Sequence, residues 1–533
     1  MPDLIHDFIF DAARRAPGAE ALVHGAHRLD YAALAQRVAH AAGAFIAAGV
    51  GRGERVAVYL DKQVENVAAL FGAAAAGAVF VPVNPLLKPA QVAYILADCA
   101  VRVLVTSPER LAQLSASLAG CPGLHTIFVT GAAAAPAGLA DGPYRGAVLA
   151  WNTAQQPGAE GALAARRAID VDMAAILYTS GSTGKPKGVV LSHRNLVAGA
   201  RSVADYLDNT ADDRILAVLP LSFDYGLSQL TTAFLRGATV VLMNYLFPRD
   251  IAKAVREERI TGLAAVPPLW NQLAALDWPA ATTLRYLTNS GGAMPVPTVQ
   301  ALREALPQAR LFLMYGLTEA FRSTYLPPSE LDRRPDSMGR AIPNAEVMVV
   351  RPDGTRCAPN EPGELVHRGA LVALGYWNDA AKTAERFRPA PGRDAALPLV
   401  EMAVWSGDTV RMDEEGFLYF IGRSDDMIKV SGYRVSPSEV EEAAHASALV
   451  NEAVAFGVPH PALGQAIILL AQPRAPSLET AALLKECQRR LPAWMVPSHV
   501  ELRSEPFPRN PNGKYDRAAL RASYSTLFES TSP

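Results

Sequence analysis

Apolar positions along the first part of the chain alternate between two rhythms. Over residues 31–48 they recur at helical spacing, and the run stops at Gly49, Gly51 and Gly53. Val56-Ala57-Val58-Tyr59-Leu60 then forms an unbroken apolar run of strand length. Residues 66–87 carry no charge and are long enough to span a bilayer. Most are small, however, and Pro82 and Pro85 interrupt them, so the pattern predicts a buried helix running into a buried strand at 78–83. A helix from Pro89 and a strand at 101–106 follow. Further strands are predicted at 215–219, 238–243 and 263–266, with a helix at 250–258. Strands alternating with helices predict a parallel sheet covered by helices.

The texture changes near residue 335, where short strands (345–350, 363–366) are separated by turns such as Pro352-Asp353-Gly354. That pattern predicts a small β-barrel-like layer. Residues 131–146, rich in Ala, Gly and Pro, read as an exposed connector. Beyond the polar turn Arg423-Ser424-Asp425-Asp426, strands (453–458, 466–471) mix with helices (437–446, 478–490). The fold class predicted is α/β: a large N-terminal domain at 1–422 and a small α+β C-terminal domain at 423–533.

At 533 residues the chain exceeds one ordinary core, which agrees with two domains. A net charge of −2 argues against a nucleic-acid or anionic-membrane footprint. The four cysteines, Cys99, Cys121, Cys357 and Cys487, are scattered, so neither a disulfide framework nor a zinc site is indicated. A reducing cytoplasm fits. The acidic start, Met1-Pro2-Asp3-Leu4-Ile5-His6-Asp7, lacks the basic region of a signal peptide.

The most chemically informative stretch lies between the apolar runs Ala174-Ala175-Ile176-Leu177 and Val189-Val190-Leu191. It reads Tyr178-Thr179-Ser180-Gly181-Ser182-Thr183-Gly184-Lys185-Pro186-Lys187-Gly188. Glycines let backbone N–H groups crowd an anion, hydroxyls add donors and lysines add charge, so the segment is a phosphate cradle. It is not a Walker A loop, because Pro186 follows Lys185. A flexible linker is the plain alternative, but linkers rarely sit between two strand-like runs.

This loop resembles the signature of the AMP-forming adenylating enzymes, a superfamily of acyl-CoA synthetases, adenylation domains and firefly-type luciferases. The resemblance extends from Leu29-Asp30-Tyr31 through Gly77-Ala78-Val79-Phe80-Val81-Pro82 to Lys514. It implies that Thr179, Ser180, Gly181, Ser182, Thr183, Gly184, Lys185 and Lys187 hold ATP phosphates. Tyr315-Gly316-Leu317-Thr318-Glu319 follows an apolar strand, and a carboxylate just past a strand end suits Mg²⁺. By resemblance, Tyr315 and Gly316 lie at adenine, Thr318 acts near the phosphates and Glu319 is the metal carboxylate. Taken alone, Thr-Glu after a turn is a capped helix start. The resemblance further implies ribose contacts from Asp408 and Arg423, nucleotide contacts from Gly291 and Gly292, and a hinge at Asp425. Lys514, in Asn510-Pro511-Asn512-Gly513-Lys514, matches the lysine that stabilises charge during adenylation. Lys429, Gly432 and Arg434, with Tyr433, match the segment that meets the thiol, either CoA or a phosphopantetheine; a structural salt bridge is the competing reading.

The acid-binding pocket implied by the resemblance includes Phe223, Asp224, Ser290 and Arg322. In amino-acid-activating relatives a Phe-Asp pair binds the substrate ammonium, so Asp224 points to an amine-bearing acid. A buried aspartate hydrogen-bonded to backbone donors is the alternative. Arg322 pairs with Asp224 or faces a substrate carboxylate. The segments around Phe223 and Tyr315 also look like a bacterial subgroup of acyl-CoA ligases associated with exosortase systems. The function implied is activation of a small-molecule carboxylic acid by Mg·ATP, then thioester formation on CoA. The alternatives are a stand-alone enzyme loading an amine-bearing acid onto an acyl carrier protein, a luciferase-like oxygenase, and a non-catalytic nucleotide-binding regulator.

Overall fold

The computed structural model describes residues 2–131, 144–151, 168–179, 186–279, 282–394, 396–423, 426–508 and 515–528. Among them the chain builds three sheets in a large N-terminal domain and a fourth in a smaller C-terminal one.

The first sheet has the strand order Gly375–Tyr376, Lys187–Ser192, Met173–Thr179, Val79–Pro82, Arg55–Tyr59, Val103–Thr106, Thr126–Val129, Ala147–Ala150. Its middle is parallel, as the alternation predicts. Both Val79–Pro82 and Val103–Thr106 are buried at every residue, the mark of strands covered on both faces. The uncharged stretch at 66–87 resolves as expected into the helix Val64–Ala75 and the strand Val79–Pro82. Gly72 on that helix sits tight against the helix Tyr31–Ala47, where an added Cβ would stand 2.6 Å from Ala41 Cβ. No helix among the described residues is long and apolar enough to cross a membrane.

One end of this sheet departs from the parallel expectation. Met173–Thr179 and Lys187–Ser192 pair antiparallel, and Gly375–Tyr376 adds antiparallel beyond them. The two strands that flank the phosphate-cradle sequence therefore face each other, with Thr179 opposite Lys187.

The second sheet runs through Arg310–Tyr315, Tyr286–Asn289, Gly262–Ala265, Arg214–Ala217 and Thr239–Leu242, all parallel. Their C-terminal ends point to one crevice, where ligands sit in open α/β sheets. The third sheet carries Ala345–Val350, Gly363–Gly369, Phe387–Pro389, Met402–Met412 and Leu418–Arg423, the turn-rich layer predicted from the change of texture. The fourth, from Ile428–Val430 to His499–Leu502, is flanked by the helices Pro437–His445 and Thr480–Arg490 and has its own buried clusters.

Candidate active site

A cavity of about 150 Å³ lies at the junction of the two domains. Tyr315, Gly316 and Thr318 line it beside Asp408, Phe223, Asp224, Ser290, Gly291 and Arg322 from the large domain. Lys429, Gly432, Tyr433, Arg434 and Trp494 close it from the small domain. Residues predicted at separate motifs thus converge on one space. A smaller recess next to it brings Thr179 and Lys187 together with Glu319, Tyr376, Arg386 and Arg434.

Glu319 follows the strand Arg310–Tyr315 on the short turn Thr318–Ala320 and is buried. Tyr376 donates its hydroxyl to Glu319 Oε1 at 2.6 Å. Burial works against the carboxylate, yet Arg434 and the Tyr376 hydrogen bond outweigh it and hold the pKa below the usual value. Glu319 Oε2 is buried without a hydrogen-bond partner among the described residues. An ionised oxygen left without a protein donor fits a ligand to Mg²⁺, which takes one or two carboxylates alongside phosphate oxygens. Lys187 reaches over the Tyr376 ring at 5.4 Å, and burial followed by repulsion from Lys382 lowers its pKa.

Asp408 is buried on the strand Met402–Met412, and the Tyr315 hydroxyl donates to its Oδ2. Its Cα is paired in register with Arg423, so the backbone sets the two predicted ribose residues opposite each other. Aromatic ring and carboxylate stand side by side, as a nucleoside grip requires. Gly291 has φ +84° and lies between Val266, Phe223 and the Gly432 Cα. Gly292 abuts Pro267, and Ser290 is buried at the end of Tyr286–Asn289.

At the acid-binding end, Asp224 opens the helix Asp224–Arg236 with Phe223 as its N-cap. Its Oδ1 accepts the Tyr225 N–H at 2.8 Å, and its Oδ2 accepts from Arg322 Nη1 at 3.3 Å. Both side chains are almost fully buried. Arg322 also stacks on Tyr225, with its guanidinium carbon 5.0 Å from the ring centre. Asp224 is thus met by one backbone donor and by Arg322, a pairing the sequence had left open for that arginine. Burial still raises the Asp224 pKa against the pull of Arg322, and Glu319 adds to the rise.

The small-domain wall is a hairpin, Ile428–Val430 and Tyr433–Val435, with Ser431 and Gly432 at positive φ. An added Cβ on Gly432 would stand 2.8 Å from Val266 of the large domain. Tyr433 stacks on Trp494 at 4.3 Å, and Asn84 of the large domain lines the same cavity. Tyr376, Asn84 and Trp494 were not singled out in the sequence. The one local signal was an aromatic next to Gly375, which is too common to select.

Ser180, Gly181, Ser182, Thr183, Gly184, Lys185, Asp425 and Lys514 lie outside the described residues, as does most of the predicted connector at 131–146.

The profile of the family described as AMP-binding enzyme matches residues 9–377, and that of the AMP-binding enzyme C-terminal domain matches 439–514. An L-proline–[L-prolyl-carrier protein] ligase of Pseudomonas fluorescens is 32% identical over 526 residues, covering 97% of this chain and 98% of that protein. A long-chain-fatty-acid–CoA ligase of Salmonella typhimurium is 30% identical over 545 residues, covering 96% and 92%. Among solved structures, a double mutant of the o-succinylbenzoate CoA synthetase of Bacillus subtilis superposes with a TM-score of 0.82 at 24% identity, covering 97% and 98%.

Proposed function

Because the chain belongs to the AMP-binding enzyme family and is an AMP-forming ligase, we propose that it joins a plain carboxylic acid to CoA through an acyl-adenylate. The acid's carboxylate attacks the α-phosphorus of ATP and pyrophosphate leaves. A thiol then attacks the acyl carbon and AMP departs. No side-chain nucleophile is needed, since positioning and charge stabilisation carry both steps.

In this reading the segment 179–187 cradles the phosphates and Lys514 balances charge on the acyl phosphate as it forms. Tyr315 and Gly316 flank adenine beside Gly291 and Gly292, while Asp408, assisted by Arg423, takes the ribose hydroxyls. Thr318 donates near the phosphates. Glu319 holds Mg²⁺, which when bound neutralises phosphate charge. Phe223, Asp224, Ser290 and Arg322 form the acid pocket, and Asp425 is the hinge between the domains at 1–422 and 423–533. Lys429, Gly432 and Arg434 guide the thiol. The observation that carries the reading is the cavity walled by both domains, with the 428–435 hairpin seated against it and Arg434 acting on Glu319. That arrangement suits thiol attack. Pairing of Asp224 with Arg322 favours a plain over an amine-bearing acid. The cysteines, all free among the described residues, suit a cytoplasmic setting.

A second reading, loading of a carrier-protein phosphopantetheine, is favoured by the prolyl-carrier ligase at 32% identity. The test is pyrophosphate release from Mg·ATP over a panel of amino, aryl and fatty acids, without and then with CoA. Release accelerated by CoA with plain acids is the expected result. Release with amine-bearing acids and no response to CoA would shift the assignment to carrier loading.

A further inference from the structure

The recess beside the main cavity holds a cation that none of the sequence motifs selected. Arg386 ends the helix Ala380–Arg386 and is half-buried. Its Nη1 donates to the Trp405 carbonyl at 3.3 Å. Gly407 makes the room, because it sits at φ +72° and a Cβ there would collide with Arg386 Nη1. The guanidinium thus lies against the backbone one residue before Asp408. In the recess it joins Lys187 and Arg434, and Glu319 is the one carboxylate among the described residues that line it. Arg386 and Lys187 repel each other. A purely structural arginine, holding the Trp405 carbonyl at the end of its helix, needs no cationic neighbours. Three cations drawn around one carboxylate are costly in an empty protein, and an anion bound among them removes that cost.

The recess measures about 20 Å³, room for a water but not for a pyrophosphate. Met427 and Arg434 of the small domain form one wall, whereas Arg386, Lys187, Thr179 and Glu319 all belong to the large domain. In the proposed swing about Asp425 that wall departs and the large-domain group stays. We propose that Arg386 is a catalytic residue of the adenylation step, which binds the β- and γ-phosphates of ATP together with Lys187 and stabilises pyrophosphate as it leaves. As the acid's oxygen bonds to the α-phosphorus, the bond from that phosphorus to the bridging oxygen breaks, and its electron pair goes with pyrophosphate. The new charge falls where a fixed cation counts most. This rests on the ligase reading and adds to it a residue from outside the phosphate-cradle sequence. AMP lacks the phosphates that Arg386 holds, so the residue has no part in the thiol step.

The test titrates Mg·ATP and AMP by calorimetry into the full chain as wild type, Arg386→Gln and Arg386→Lys. Gln keeps an N–H for the Trp405 carbonyl without the charge, and Lys keeps the charge without the planar fork. ATP affinity is expected to fall in the order wild type, Lys, Gln, by at least about tenfold at Gln, with AMP bound equally by all three. Pyrophosphate release with the best acid of the panel above should drop about 100-fold in Arg386→Gln. Thioester formation from a supplied acyl-adenylate should keep its wild-type rate. Equal losses for ATP and AMP, or a Gln variant that outperforms Lys, would mark a structural role and overturn the inference with the ligase reading intact. ATP affinity unchanged in both variants would do the same. If the melting curve shows that Arg386→Gln does not fold, Arg386→Lys decides alone: a lowered ratio of ATP to AMP affinity supports the inference and an unchanged ratio overturns it. A wild type that binds neither nucleotide overturns both readings.

Discussion

Under the proposed swing of the small domain about Asp425, Gly432→Ala should separate the two half-reactions, because its new contact belongs to the arrangement with the hairpin seated on the cavity. Two penalties arise from one methyl group. The first is conformational: Gly432 has φ +84°, where an L side chain costs about 1–2 kcal/mol. That cost follows the hairpin wherever it goes and affects both half-reactions alike. The second is steric, since the new Cβ would stand 2.8 Å from Val266 Cγ1 and 3.1 Å from Val266 Cβ. Carbon atoms rest near 3.5–4.0 Å, so the hairpin must retreat or Val266 must turn. Overpacking of this kind costs roughly 1–3 kcal/mol. Because Val266 belongs to the large domain, only the arrangement with the hairpin seated on the cavity bears that cost. Thioester formation from preformed acyl-adenylate should fall roughly 5- to 150-fold, at 1.4 kcal/mol per tenfold. Exchange of pyrophosphate into ATP should change little. Quenched-flow and isotope exchange measure the two separately. Val266→Ala, which deletes the 2.8 Å contact with Cγ1 but keeps Cβ at 3.1 Å, should restore part of the lost transfer in the double variant. An equal fall in exchange, or no rescue by Val266→Ala, would refute the reasoning.

Lys514→Ala should have the opposite signature, losing acyl-adenylate formation while still transferring a supplied acyl-adenylate to thiol; equal loss of both half-reactions would sink that assignment. Asp224→Ala leaves Arg322 buried without its carboxylate and should cost about 3–5 kcal/mol in urea unfolding, against near-neutrality for Asp224→Asn with Arg322→Met. His367 is fully buried, and burial pushes its pKa from 6.5 down to about 4. The unfolded chain then takes up the proton first, so this stability is complete above pH 6.5 and falls as the pH drops toward 4. About 2 kcal/mol should vanish between pH 7 and pH 5. His367→Gln should remove that part of the slope, and an unchanged slope would contradict the burial argument.

The strands on either side of residues 180–185 and the run of parallel strands could be read from the sequence because their information is local. An apolar run too short for a helix, bounded by glycine and hydroxyls, has few other folds open to it. The same logic found the turn-rich layer, but not the hairpin at 428–435, whose strands are only three residues each. Pairings between distant segments are another matter. Nothing near Tyr376 says that it will lie beside Glu319, because that contact comes from the strand Gly375–Tyr376 closing the edge at Val189 and Val190. The sequence left Asp224 two partners, and only packing of the segment after Glu319 against the helix Asp224–Arg236 chose Arg322. The aromatic stack of Tyr433 on Trp494 joins residues 61 positions apart and has no periodic signature.

A cavity with walls from two domains gives any tight occupant a mechanical role. A molecule that touches Tyr315 and Ser290 on one side and Gly432 and Trp494 on the other acts as mortar between the blocks. At a hundred times its Kd such a ligand adds about 2.7 kcal/mol to the bound arrangement. That energy belongs to both domains at once, so neither can melt without releasing it. The empty chain should lose its small domain at one temperature and its large one at another, whereas the filled chain should unfold in a single step. Calorimetry would then register occupancy in the shape of the transition as well as in its midpoint.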